Sequence, residues 1–302
     1  MSLSITNAFV EQYRNNVTML TQQRGSKLRD FVTVNNGVVG KTVFTEQIGA
    51  TEAKKRISRH GDSPLVDTPH KRRLYTMADY EWGDLIDKAD RVRMLIDPTS
   101  TYAQSAAFAM GRVMDDVIID ALKDNATIED AGSQSTVALT QTIAKTFNDV
   151  NSNDSVLNIG KLRQAQQLFH TANVPEDEEK FLVVSPIGIQ QLLGAKEITS
   201  SDFNTVKALV NGEIDTFMGF RFIVSNRLPI SGNDRDAFAF TRSAIELGIG
   251  QDVMARIEER ADKAFSTYVY YCMTLGATRL EEEKVVKITY DESDKLDQGS
   301  TV

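Results

Sequence analysis

The three histidines of this 302-residue sequence are the side chains best suited to acid–base catalysis or metal binding near neutral pH. His60 lies in a polar stretch, His70 follows a proline, and His170 falls at the predicted end of a helix. None of them has a neighbouring Cys or His at the spacing of a metal site. The histidines therefore give no candidate catalytic or metal centre, and we expect no cofactor.

Motifs for nucleophilic catalysis and for phosphate binding are also missing from the sequence. There is no Gly-x-Ser-x-Gly elbow, no Gly-x-x-x-x-Gly-Lys loop, and no Gly-x-Gly-x-x-Gly after a strand. Gly212 and Gly219 are better explained as turn residues, and Glu281–Glu283 as a solvated acidic run. An enzyme with an unrecognised site is therefore the least favoured function.

Charged side chains in two regions could instead form ion pairs between copies of the chain. The basic set is Lys54, Lys55, Arg56, Arg59, Lys71, Arg72 and Arg73, and the acidic set is Asp79, Glu81, Asp84, Asp115, Asp116 and Asp120. Exposed pairs contribute about 0–1 kcal/mol each, so such a contact would set orientation more than affinity. A head-to-tail contact of this kind generates a ring when the rotation between copies closes. The alternative for the basic set is an ordinary solvated loop.

The basic residues lie on a predicted extended hairpin. Strand-like patterns cover Phe31–Val34, then Val38–Ile48 after the turn signal Asn35-Asn-Gly37, and a second run covers Leu65–Met77. Pro69 favours an edge position for that second run, because proline cannot donate to a ladder. The candidate hinge residues are Gly40, Gly49 and Gly61.

A long helix is predicted from about 99 to 123, with Ala103, Ala106, Met110, Val113, Val117 and Ala121 as its apolar stripe. A narrower amphipathic helix is predicted between Thr6 and Gly25. Residues 127–156 are rich in Thr, Ser, Asn and Asp, which predicts an irregular connection with one short helix near Thr140–Val150.

A second, α/β region is predicted after residue 156. Asn158 is expected to cap a helix, Phe181–Val184 to form a buried strand, and Ser185 to cap the next helix ahead of Pro186. Beyond them the chain returns as β structure. There Phe265–Leu275 is the predicted central strand, Gly276-Ala277 breaks it, and Val285–Tyr290 closes the sheet.

Composition limits the function further. The net charge of −8 argues against a general nucleic-acid binder, which carries a basic footprint. No apolar run reaches the roughly 18–20 residues of a membrane span, so no membrane partner is expected. The single cysteine, Cys272, cannot form an intrachain disulfide.

Taken in order, these segments resemble the major capsid proteins of tailed double-stranded DNA bacteriophages, whose shell fold is shared with encapsulin compartments and the herpesvirus capsid floor. The stretches that carry the resemblance are Leu74–Asp90, the long helix, Phe217–Pro229, and Ala244–Gly250 with Gly276-Ala277. The resemblance covers nearly the whole chain. It implies an α+β fold with an N-terminal arm, an extended β-hairpin loop, a peripheral domain with a long spine helix, and an axial α/β domain.

The resemblance also implies bounds for these parts. The arm would be residues 1–36, the extended loop 37–78, the peripheral domain 79–156 with 251–292, the axial domain 157–250, and a mobile tail 293–302. The implied function is self-assembly into pentamers and hexamers of an icosahedral shell that encloses packaged double-stranded DNA. An encapsulin-like protein compartment is the alternative.

Partners are implied by the same resemblance. They are other copies of the chain, a portal, a possible decoration protein, and packaged DNA contacted non-specifically. Some members of the family carry a cleaved helical scaffolding segment at the N-terminus. This sequence shows none, so a separate scaffolding protein is expected. The protein would be assembled in the host cytoplasm and located in the capsid of the virion.

Overall fold

The computed structural model describes residues 22–56, 58–59, 61, 63, 65–87, 99–130, 132–147, 155–194 and 216–293. The helix predicted between Thr6 and Gly25 lies almost wholly outside these residues, as do His60 and nearly all of the predicted tail. The fold is mixed helix and sheet, as predicted.

The chain divides into two compact units. One unit contains Met1–Ser26, Tyr80–Arg112 and Val253–Met273, and the other contains Lys27–Asp79, Val113–Asp252 and Thr274–Val302. The arm, loop, peripheral and axial segments drawn from the sequence have other bounds, and they stay a prediction.

Strands dominate the described chain. They are β1 (Thr33–Asn36), β2 (Thr42–Ile48), β3 (His70–Thr76), β4 (Ala78–Ile86), β5 (Ala126–Asp130), β6 (Ser133–Val137), β7 (Thr142–Ile143), β8 (Lys180–Val184), β9 (Thr216–Phe217), β10 (Phe220–Val224), β11 (Ile230–Ser231), β12 (Asp234–Thr241), β13 (Ile245–Arg260), β14 (Ser266–Arg279) and β15 (Val285–Asp291). The helices are α1 (Thr99–Lys123), α2 (Ile159–Thr171) and α3 (Pro186–Gly194).

A seven-stranded sheet forms the core of the larger unit. Its order is β7-β15-β12-β8-β10-β9, with β11 paired to β12. Every residue of β8 is buried, as predicted for Phe181–Val184, and β8 runs parallel to β10 and antiparallel to β12. Helix α2 packs its apolar face here, where Phe169 lies 6.1 Å from Phe220 between ring centroids.

Both predicted helix caps of this region are confirmed. The Asn158 side chain accepts a hydrogen bond of 2.8 Å from the Lys161 amide at the start of α2. The Ser185 hydroxyl accepts one of 3.0 Å from the Gly188 amide at the start of α3. Each cap satisfies a backbone N–H that has no partner within its own helix.

A second sheet has the order β1-β13-β14-β4, so the central position predicted for Phe265–Leu275 is confirmed. Two other expectations about this region are wrong. Strand β14 continues through Gly276 and Ala277 to Arg279, and β15 joins the seven-stranded sheet by pairing with β12. Gly276 is needed for close approach, because a Cβ there would lie 2.7 Å from the Thr76 carbonyl oxygen.

The third sheet has the order β2-β3-β5-β6, and it corrects three predictions. Strand β3 is not an edge, since it pairs with β2 and β5, and Pro69 precedes the strand. The turn signal Asn35-Asn-Gly37 does not form a hairpin, because β1 pairs with β13. Strands β5 and β6 pair antiparallel where an irregular connection was predicted, and the described part of the predicted helix, 140–147, contains β7 and turns.

Helix α1 has 25 residues, with the bounds predicted from the sequence. At 1.5 Å per residue its length is about 37 Å. The buried apolar side chains of the helix are Ala106, Met110, Met114, Ile118, Ile119 and Leu122. Val113, Val117 and Ala121 of the predicted stripe are half-buried. In the second half of α1, the buried face therefore lies one residue further along the chain than the predicted stripe. The role of α1 as a spine of the subunit stays a prediction.

Candidate subunit interface

The extended hairpin is formed by β2 and β3, which pair antiparallel from Thr42↔Thr76 to Ile48↔His70. The Gly49 amide donates to the Pro69 carbonyl at 2.9 Å, which continues the ladder past Ile48. We call residues 49–69 the tip of the hairpin. Its described residues are exposed, apart from half-buried Thr68.

Most predicted basic residues lie on the exposed part of this hairpin. Lys54, Lys55 and Arg59 are exposed at the tip, where Arg56 donates to the carbonyls of Ser58 and Arg59. Lys71 and Arg72 are exposed on β3, and Arg72 pairs with Glu46 of β2 at 3.2 Å. These six cations can reach a neighbouring molecule.

Arg73 differs, because its guanidinium is used within its own chain. It is only 6% exposed, it pairs with Glu282 at 2.5 Å, and its Nε donates to Gln47 at 3.2 Å. We therefore leave Arg73 out of the proposed contact surface.

The base of the hairpin is also held by Glu246 of β13. Its carboxylate accepts hydrogen bonds from the Thr45 hydroxyl at 2.7 Å, the Asn35 amide at 3.1 Å and the Tyr75 hydroxyl at 3.2 Å. Burial, followed by the nearby Glu246 charge, raises the pKa of Tyr75. The tyrosine thus stays a neutral donor, and the hairpin base is fixed in position.

The acidic residues likewise divide into exposed ones and ones that are bound within their own chain. On β4, Asp79 and Glu81 are exposed and Asp84 is half-buried, with Asp79 accepting from the Thr274 hydroxyl at 2.6 Å. Asp120 of α1 is exposed, and Asp116 pairs with Arg227.

Asp115 is fully buried, and no sequence pattern indicates its role. Its carboxylate accepts from the backbone amides of Lys27 at 3.0 Å and Leu28 at 3.1 Å. It fixes the segment before β1 to α1, and it is unsuited to a contact with another molecule.

Sequence reasoning missed the apolar residues that the hairpin exposes. Five of the twelve exposed large hydrophobic side chains in the described chain lie between residues 37 and 78: Val39, Phe44, Ile48, Leu65 and Val66. The available signal was the run Val43-Phe44 followed by Ile48, which places apolar residues on both faces of β2. A concentration of exposed apolar residues marks an interaction surface.

The described chain contains no group of three or more His, Cys, Asp or Glu side chains that could hold a metal ion. His70 and His170 are both exposed, on β3 and near the end of α2. Among the described helices, none combines the length and the apolar character that a membrane span requires.

Comparison with known proteins gives one family and many similar folds. The family model described as phage capsid protein matches residues 5–292. A search of curated protein sequences gives no match.

Three solved capsid structures illustrate the similarity of fold. The capsid structure of cyanophage P-SCSP1u matches at a TM-score of 0.75 and 14% identity, covering 95% of this chain and 94% of that one. The capsid structure of Helicobacter pylori bacteriophage KHP30 matches at 0.73 and 11% identity, with coverages of 97% and 98%. The capsid asymmetric unit of cyanophage Pam1 matches at 0.72 and 12%, with coverages of 96% and 98%. These likenesses are confined to the fold, whereas the family model spans nearly the whole sequence, and so the chain belongs to the phage capsid protein family.

Proposed function

We propose that this chain is the major capsid protein of a tailed double-stranded DNA phage, whose copies form the pentamers and hexamers of an icosahedral shell. The observation that carries the proposal is the family match over residues 5–292. Such a chain acts by binding its own copies, which agrees with the exposed charged and apolar residues of the hairpin.

The hairpin is the proposed contact between neighbouring copies. Its apolar residues Phe44, Ile48 and Leu65 would supply buried area, which is the main source of affinity between proteins. Its cations would meet carboxylates of another copy and fix the orientation. The proposed cations are Lys54, Lys55, Arg56, Arg59, Lys71 and Arg72, and the proposed carboxylates are Asp79, Glu81, Asp84 and Asp120.

The remaining segments take the roles that the family suggests. Residues 1–36 would be the arm, 37–78 the extended loop, 79–156 with 251–292 the peripheral domain, and 157–250 the axial domain around the capsomer axes. Gly40, Gly49 and Gly61 would be hinges during shell expansion. Gly40 has a φ of +116°, which other residues rarely adopt, and this supports its choice.

Scaffolding protein, portal and decoration protein are the proposed partners, with packaged DNA inside the shell. The chain would assemble in the host cytoplasm and reside in the virion. With a net charge of −8 the shell would enclose DNA without gripping it tightly.

The test of this function is the content of the particles. The chain is expressed with its genomic neighbours, and the particles are treated with nuclease and extracted. Protected double-stranded DNA of one defined length is the expected result. Particles that hold only protein cargo would favour an encapsulin-like compartment and would contradict the packaging of DNA.

A further inference from the structure

The two outer strands of the β2-β3-β5-β6 sheet carry few of the residues that normally protect a sheet edge, and Glu46 of β2 is their one charged side chain. In the described chain β2 pairs with β3 and β6 pairs with β5. Neither outer strand contains Pro, Lys or Arg, the residues that commonly block further strand pairing. Residues 133–136 of β6 are exposed, and β2 alternates between exposed and half-buried residues. Both strands are therefore suited to pairing with another chain.

Strand β2 is fixed by its half-buried face. The Thr45 hydroxyl donates to Glu246 at 2.7 Å, and the Gln47 amide donates to the Leu280 carbonyl at 2.8 Å. A strand held in this way loses little conformational entropy when a second strand binds to it.

The free backbone groups of β2 can be identified from the ladder. The Met77 amide donates to the Lys41 carbonyl, and the Gly49 amide donates to the Pro69 carbonyl, so residues 41 and 49 belong to hydrogen-bonded pairs. Because such pairs alternate along an antiparallel ladder, residues 43, 45 and 47 bond to β3. The N–H and C=O groups of Thr42, Phe44, Glu46 and Ile48 therefore point away from β3.

We propose that β6 of one copy pairs antiparallel with β2 of the next copy, so that this sheet continues from subunit to subunit. All neighbouring strands of the sheet are antiparallel, so β6 runs opposite to β2. Copies placed side by side in the same orientation then meet with the correct strand polarity. The contact joins two different surfaces, and such contacts close into rings when the rotation between neighbouring copies returns to the starting copy. The inference rests on the proposed function, because a shell supplies the repeated neighbours.

The register within the sheet shows which side chains the new ladder would bring together. Glu46 pairs with Arg72, Arg72 with Glu129, and Glu129 with Gln134, so all four side chains lie on one face. Within one chain, Glu46 and Gln134 are three strand spacings apart, or about 14 Å. A disulfide requires Cα atoms within about 7 Å, so these positions can be bridged only between copies.

The test is disulfide trapping in assembled particles. Gln134→Cys is combined in turn with Phe44→Cys, Glu46→Cys and Ile48→Cys, in a Cys272→Ser background; the three partners share one face and cover shifts of register. After mild oxidation, at least one pair should give a series of covalent multimers on a non-reducing gel. The single-cysteine variants should give no such series. Intact particles without multimers for all three pairs would overturn the pairing.

A proline variant tests the same contact without crosslinking. Glu46→Pro removes an N–H that points away from β3, so the hairpin should fold while the yield of particles falls at least tenfold. Glu46→Gln is the matched control, because it also removes the ion pair with Arg72 but keeps the N–H; it should assemble normally. Normal assembly of the proline variant would contradict the inference. Failure of the unmodified chain to assemble would instead contradict the proposed function.

Discussion

Replacement of Glu282 by Gln should destabilise the subunit strongly. Glu282 is buried and is the anion shared by two buried guanidiniums, with Arg73 at 2.5 Å and Arg279 at 3.6 Å, the latter longer than a hydrogen bond. Arg279 is 0% exposed, and burial lowers its pKa despite the nearby Glu282. The substitution keeps the shape of the side chain and leaves both buried cations without their anion.

The size of the effect follows from this burial. Removal of one partner from a buried ion pair costs about 3–5 kcal/mol. With an unfolding entropy of about 2.1 cal/mol/K per residue, each kcal/mol shifts the Tm of a 302-residue chain by roughly 1.6 °C, so the Tm should fall by about 5–8 °C. Differential scanning fluorimetry of the unassembled subunit measures this shift.

Two further variants distinguish the effect of the lost Glu282 charge from a general sensitivity of this region to substitution. Arg73→Met leaves one cation and one anion in the cluster, so it should cost less than Glu282→Gln. Glu283→Gln changes an exposed neighbour and should stay within about 0.5 kcal/mol. If Glu282→Gln is no more destabilising than Glu283→Gln, the cluster does not stabilise the hairpin base and our reasoning is wrong.

Three further predictions concern the surface and the sheets. Charge reversal of Lys54, Lys55 and Arg56 to Glu should leave the Tm unchanged and reduce particle yield on size-exclusion chromatography; normal yield would refute the ionic contact. Asp120→Asn should raise the Tm at about pH 7 and leave it unchanged at about pH 3. Burial, then the charge of Asp124, raises the pKa of Asp120, so the folded chain binds this proton more tightly than the unfolded chain and the ionised carboxylate reduces stability. An equal gain at both pH values would show that charge is not the cause. Gly276→Ala should cost about 1–3 kcal/mol, because the added Cβ would lie 2.7 Å from the Thr76 carbonyl oxygen; an unchanged Tm would mean that β14 can move away.

Sequence rules predicted structure correctly where the interacting residues are close together in the sequence. The caps at Asn158 and Ser185 bind amides three residues ahead, so the sequence contains both partners. The bounds of α1 followed from its apolar periodicity. Pro69 cannot donate to a ladder, and it lies one residue before β3, where its carbonyl accepts from Gly49; the edge position inferred from it was wrong because β5 also pairs with β3.

Distant partners explain most of the other errors. Arg73 and Asp115 look like their exposed neighbours in the sequence, but Arg73 binds Glu282, 209 residues away, and Asp115 binds the Lys27 amide, 88 residues away. Residues 126–137 are polar, so their strands were missed. They are strands because they extend the sheet of the hairpin. Polar strands of this kind carry little apolar alternation, which is the signal that sequence analysis uses.

The central claim is that this chain assembles into a closed shell, and the direct measurement is sedimentation velocity with negative-stain imaging. The purified chain is examined alone and after co-expression with its genomic neighbours. We predict rings or tubes for the chain alone and closed particles of uniform size after co-expression. A monodisperse monomer or dimer under both conditions would contradict the account.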